Sequence, residues 1–367
     1  MSKLSVGSIA IAAMIGVAAP AAMADIKIAI NGPFTGPQAN FGEQFKRGAD
    51  MAASDLNAKG GILGQKIVLV YGDDQCDPKQ AEAVANRSAQ AKVDVVIGHF
   101  CSGSSIPASE VYKEENILQI SPASTNPKFT DRGYKNTFRV CGRDDQQGLV
   151  AGDFITSRYK GKKVAVVHDK TQYGKGLADE TKKRLNAKGV KEAVYEGITA
   201  GEKDYSALIS KMKLAKIDVI YFGGYHPEAG LIIRQAREQG LKADLISGDA
   251  LVDKQFWQVA GPAGEGVMMT FDADPRKNPG AKDLVAKFKA ANYDPEGYTL
   301  YTYAAIQTYA QAAEKAKSTK LAAVGGALHS TKFNTVLGEI EFDAKGDTKK
   351  PSYRVYVWKN GAYDYVN

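Results

Sequence analysis

Two short stretches of this chain concentrate hydroxyl groups: Ser102-Gly103-Ser104 and Ser121-Pro122-Ala123-Ser124-Thr125. Each follows an apolar, strand-like run, at 93–98 and 117–120. A hydroxyl beside the free N–H groups of a starting helix is a ready receptor for an anion, and a ligand carboxylate suits it. A second set of residues has the opposite character. Asp249, in Ser247-Gly248-Asp249-Ala250, offers a negative charge suited to an ammonium. Tyr173 and Tyr225 offer aromatic faces for a cation or an apolar chain. Donors in one half and an acid with phenols in the other suit a zwitterion. Plainer roles exist for each: Ser102, Ser104 and Thr125 as helix caps, Asp249 as a turn residue or cap, the tyrosines as core.

Other chemistries find little support. There are four histidines, none forming a metal pair at helical spacing. Neither a G-x-S-x-G elbow nor a G-x-x-x-x-G-K-[ST] loop is present, and prolines interrupt Gly32 and Gly36 after the first strand. Asp73-Asp74 and Asp144-Asp145 are adjacent carboxylates, which need not converge; turn or cap roles fit them better. No nucleophile–base pair, metal site or cofactor site is expected, so the chain reads as a binder rather than an enzyme.

The elements that must position these groups alternate. Strands are expected at 26–30, 67–71, 93–98 and 117–120, with helices at 41–57, 78–90 and 106–115 between or after them. A second series follows, with strands at 163–167, 192–196, 217–222 and 244–246 and helices at 176–188, 205–214 and 227–239. Continuous apolar strands alternating with helices imply parallel sheets covered on both faces. The second series echoes the first. Leu56-Asn57-Ala58-Lys59-Gly60 recurs as Leu185-Asn186-Ala187-Lys188-Gly189, Val93–Gly98 is matched by Ile217–Gly223, Ile120-Ser121 by Ile246-Ser247, and Phe41-Gly42 by Tyr173-Gly174. A shared order at nearly constant offset indicates two similar α/β lobes with a cleft between them. Helices at 281–291 and 301–316 and strands at 338–342 and 352–358 form a tail able to complete both lobes, which requires several crossings between them.

The 367-residue length fits two domains. Residues 1–24 read as a secretory leader: Lys3, then an apolar small-residue run, then Ala22-Met23-Ala24 before cleavage. The net charge of +7 is spread over helices beside acids, as in Lys46-Arg47 with Asp50, so solvated surfaces explain it better than nucleic acid. Cys76 and Cys101 fall just past the ends of neighbouring strands, and in an oxidising compartment they are expected to pair; Cys141 is expected to be a buried free thiol.

With Asp73-Asp74-Gln75-Cys76-Asp77-Pro78, the loop 98–105, His168-Asp169-Lys170…Tyr173-Gly174 and Gly223-Gly224-Tyr225-His226-Pro227-Glu228, the mature chain resembles the leucine/isoleucine/valine-binding family of periplasmic proteins. The resemblance implies a three-stranded hinge between an N-terminal lobe, 25–143 plus 272–351, and a C-terminal lobe, 144–271 plus 352–367. It places the ligand carboxylate on Ser102 and the backbone of Thr125. The ammonium falls on the Ala123 carbonyl, the Thr125 hydroxyl and Asp249, where leucine-binding relatives commonly carry glutamate. Tyr173 and Tyr225 match the family's aromatic pair, and Phe41, Phe100 and Tyr298 fall around the ligand side chain. The implied protein is a periplasmic monomer that delivers an aliphatic, branched-chain L-amino acid to the membrane permease of an ABC importer. The alternatives are an exported sensor or a receptor for γ-aminobutyrate, proline or alanine.

Overall fold

The computed structural model describes residues 24–366, so all but the last residue of the expected leader lies outside the described residues. The first series is β1 (Ile26–Gly32), α1 (Ala39–Asn57), β2 (Ile67–Asp73), α2 (Pro78–Gln90), β3 (Val95–Gly98), α3 (Ser102–Glu114), β4 (Leu118–Ser121), α4 (Lys128–Asp131) and β5 (Thr137–Arg139). The second is α5 (Asp144–Arg158), β6 (Val164–His168), α6 (Gln172–Ala187), β7 (Val194–Gly197), α7 (Ser206–Ala215), β8 (Val219–Gly223), α8 (His226–Glu238), β9 (Asp244–Ser247), α9 (Lys254–Ala260) and β10 (Met268–Asp272). The tail holds α10 (Lys282–Ala290), α11 (Thr299–Ala316), α12 (Leu321–Ser330), β11 (Phe333–Thr335), β12 (Gly338–Ile340), β13 (Tyr353–Lys359) and β14 (Ala362–Tyr365).

The internal echo in the sequence is an echo in topology. The first sheet runs β2-β1-β3-β4-β5, all parallel. The second repeats that order as β7-β6-β8-β9-β10 and then adds β13 and β14, which are antiparallel. β3 and β6 are buried along their whole length, which is why they read as unbroken apolar runs. Two lobes of mixed α/β structure result, each with helices over a mainly parallel sheet.

Several expectations are corrected. α3 begins at Ser102, a turn before the expected start at 106, and α6 begins at Gln172 rather than 176. Serines and glycines interrupt the apolar periodicity in both first turns, although Tyr173 in the second packs into the core. The strands β5, β10, β11 and β14 and the helices α4, α9 and α12 lie outside the expected elements. The strand expected at 338–342 completes neither main sheet; β12 pairs with β11 in a separate two-stranded sheet.

The tail returns to the first lobe, where α11 packs along α1, and then to the second as β13. The chain therefore passes between the lobes three times, after β5, after β10 and before β13. One carboxylate gathers all three passages. Asp272, at the end of β10, accepts from the Gly142 N–H (3.2 Å) and the Ser352 N–H (2.9 Å). Burial raises its pKa to about 6. Beside this hinge, the fully buried Arg139 donates to Asp347 (2.6 Å), to the Ser124 carbonyl (2.6 Å) and to the Asn126 carbonyl (3.0 Å). It thereby fixes the tail to the loop after β4. Asp347→Ala leaves that guanidinium buried without its counter-charge. The expected loss is about 3 kcal/mol or more of unfolding free energy, measured by urea denaturation followed by far-UV circular dichroism.

Candidate functional site

The carboxyl ends of both parallel sheets face one seam, where open α/β folds collect ligands. On the first-lobe side, β3 leads into Cys101, the N-cap of α3, and this sets Ser102 at the first helical position. Beside it runs the loop after β4. Many of the hydroxyls read as anion donors in fact hold these two loops together. Ser121, Ser124 and Ser105 all donate to the His99 carbonyl, at 2.8, 3.2 and 3.2 Å. The Ser121 hydroxyl also accepts from the Ala123 and Ser124 N–H groups. The His99 ring is itself buried between Asp74 (2.5 Å) and the Tyr112 hydroxyl (2.9 Å). Ser102 accepts from the Asn126 N–H at 3.3 Å. The Thr125 hydroxyl is buried and makes no hydrogen bond.

On the second-lobe side, the Thr171 hydroxyl caps α6 by accepting from the Gly174 N–H (2.9 Å), and this orients Tyr173 in the first turn. The Tyr173 hydroxyl donates to Asp249 Oδ1 at 2.9 Å. A Cβ on the preceding Gly248 would lie 2.7 Å from that hydroxyl and 2.4 Å from Leu177 Cδ2, so only glycine admits the approach. Tyr298, which precedes α11 on the first lobe, donates to Asp249 Oδ2. Burial raises the Asp249 pKa, and the Tyr298 and Tyr173 hydroxyls oppose that rise by hydrogen bonding.

Aromatic rings line the rest of the seam. Phe41 and Phe100 stack with centroids 4.2 Å apart. Phe100 meets Tyr298 edge-on at 5.4 Å and Tyr225 across the seam at 6.3 Å, and Tyr225 lies 5.0 Å from Tyr173. Polar latches span the lobes as well: Gln44 donates to Asp253 (2.7 Å) and Asn126 to the Gln172 carbonyl (2.8 Å). A cavity of about 590 Å³ opens at the mouth, lined by Gln38, Gly103, Gln172, Tyr225 and the Cys76–Cys101 pair. That pair is joined as a disulfide, with Cα atoms 5.5 Å apart, and Cys141 is a buried free thiol.

All nine expected ligand residues are buried, and they come from both lobes. Sequence reasoning missed others. Gln147 on α5 lies against Asp249 and donates to the Thr270 carbonyl at 3.0 Å. The Gln44–Asp253 latch left no sequence signal. Among the adjacent acids, Asp73 takes the expected turn role, accepting from the Phe34, Thr35 and Gln75 N–H groups, whereas Asp74 also holds His99. Asp145 pairs with Arg143, while Asp144 is fully buried and neither of its oxygens has a partner.

Two lobes, a hinge of three passages and a polar-aromatic seam define a hinged solute-binding protein. The profile of the periplasmic binding protein family matches residues 25–362, and the chain belongs to that family. It is 53% identical over 370 residues to a Leu/Ile/Val-binding protein homolog of Brucella melitensis, covering all of both chains. A leucine binding protein from Thermotoga maritima superposes with a TM-score of 0.87 at 29% identity, over 93% of this chain and 98% of the other. A branched-chain amino acid transporter substrate-binding protein from Streptococcus pneumoniae, solved with isoleucine, gives 0.85 at 28%, over 93% and 99%.

Asp169 sits at the end of β6. Its Oδ1 accepts from the Thr171 N–H (2.9 Å) and hydroxyl (2.7 Å), while Oδ2 is buried and unpartnered. Burial raises its pKa to about 7. A raised carboxyl holds its proton longer in the folded than in the unfolded state. Its contribution is therefore full below about pH 4 and fades as pH rises through 7. Asp169→Asn keeps the Oδ1 acceptor, so thermal melts between pH 4 and 7 are expected to show a smaller loss of stability than wild type.

Proposed function

We propose that this protein is the substrate-binding component of an ABC importer and captures a branched-chain aliphatic L-amino acid by hinge closure. The observation that carries this reading is the buried seam itself, where hydroxyl groups of one lobe face a carboxylate and two phenols of the other. In the proposed complex, the Ser102 hydroxyl and Thr125 N–H take the ligand carboxylate. The Ala123 carbonyl, Thr125 hydroxyl and Asp249 take the ammonium. Phe41, Phe100, Tyr173, Tyr225 and Tyr298 surround the side chain. The names and bound ligands of its relatives support the amino-acid class, and they support a binding protein rather than an enzyme.

The N-terminal lobe is proposed to comprise 25–143 with 272–351, and the C-terminal lobe 144–271 with 352–367. Closure joins surfaces of both lobes into one face, which a permease can read. The leader-like segment at 1–24 supports export to the periplasm, and we take the working form to be a monomer. Among the described residues no helix is long and apolar enough to cross a membrane.

A thermal-shift screen of amino acids, with γ-aminobutyrate and proline included, should raise the melting temperature with leucine, isoleucine and valine. A rise confined to polar amino acids would overturn the ligand class. Asp249→Ala should weaken leucine binding by about 2 kcal/mol or more in titration calorimetry, because the ammonium loses its counter-charge. Unchanged affinity would remove Asp249 from the site.

A further inference from the structure

The seam holds a second buried carboxylate to which neither the family resemblance nor the proposed ligand contacts assign a role. Asp144 opens α5 directly after the first hinge passage, and its N–H donates to the Thr125 carbonyl at 2.9 Å. That bond fixes it beside the residue proposed to hold both ends of the ligand. Asp144 is fully buried and neither of its oxygens makes a hydrogen bond of normal geometry; the one neutral donor turned toward it is the adjacent Thr125 hydroxyl, which has no other partner. An ionised carboxylate in such a place is unfavourable unless a cation or a set of donors meets it.

The protein itself supplies no cation, and the Thr125 hydroxyl is a single donor for two oxygens. The Arg139 guanidinium lowers the Asp144 pKa through its field, but its donors go to Asp347, the Ser124 and Asn126 carbonyls and Thr130. Asp145, the next residue, turns out to Arg143. The other titratable groups facing Asp144 are Asp249 from the loop after β9, Tyr173 from α6, Tyr221 from β8, Tyr225 from the start of α8, Tyr353 from β13 and the Cys141 thiol. All are anionic or neutral. Asp249 differs from Asp144 in one respect: phenols of both lobes already donate to its two oxygens.

We propose that Asp144 is a ligand-binding residue and forms, with Asp249, a pair of carboxylates that receives the ligand's ammonium beside Thr125. This rests on the amino-acid reading above and deepens it. A doubly acidic receptor selects ligands carrying a full positive charge at that end. It also links binding to protons. Burial and the field of Asp249 hold the Asp144 pKa well above the ordinary carboxylate value, so the empty pair retains a proton. Arrival of the ammonium releases that proton to solvent, and affinity therefore rises with pH.

The test compares wild type, Asp144→Asn and Asp144→Ser by titration calorimetry with L-leucine between about pH 5 and 8, and by thermal melts without ligand. The expected result is that both variants bind leucine about tenfold more weakly or worse at pH 7. Their empty forms should melt no lower than wild type, because the carboxylate has no ion pair to lose and Asn or Ser can still accept from the Thr125 hydroxyl. The rise of affinity with pH seen in wild type should flatten. Wild-type affinity in the variants would overturn the assignment. So would a loss of binding that only follows a lowered melting temperature and leaves the pH dependence intact, or failure of both variants to fold. Wild-type protein that binds no amino acid would instead sink the functional reading and take this inference with it.

Discussion

The structure depends on one buried carboxylate bridged from two sides. Asp249 belongs to the second lobe, yet one oxygen is held by Tyr173 of the same lobe and the other by Tyr298 of the first. A carboxylate removed from water is tolerable only with donors or a cation at hand. Full satisfaction of Asp249 therefore requires the two lobes to meet. The residue that gives the seam its charge thus also ties the two lobes together.

Around that point the labour is divided. The hydroxyl-rich loops of the first lobe are stiffened from within: three serines converge on the His99 carbonyl, and the His99 ring is wedged between Asp74 and Tyr112. This leaves Ser102 and Thr125 to face the seam on a rigid platform. The hinge behind is gathered by Asp272 and buttressed by Arg139 with Asp347. Rigid halves joined at a small polar hinge suit a motion in which the lobes turn and their cores do not change.

Much of this was legible in residue order. The alternation of apolar runs with amphipathic segments gave two α/β series, and their echo carried over to an identical strand order in the two sheets. Cys76 and Cys101 were readable as partners because both follow strands that run side by side with β1. Less legible were α3 and α6 at their first turns, where serines and glycines break the apolar pattern. β12 misled because three strand-like residues do not say which sheet they join. Gln44 and Asp253, far apart in sequence, gave no sign of their contact.

Sequence alone determined the period of the elements, the two-lobe repeat and the chemical types collected at the strand ends, because these follow from local propensity and from burial on both sheet faces. Tertiary structure decided which of those types act together. Ser121, Ser124 and Thr125 are neighbours of like chemistry, yet the first two are consumed inside the first lobe and the third is not. Asp144 and Asp145 differ by one position, and one meets Arg143 while the other is sealed in the seam. Hydrogen-bond partners and desolvation are set by atoms distant along the chain, and only the packed fold brings those atoms within reach.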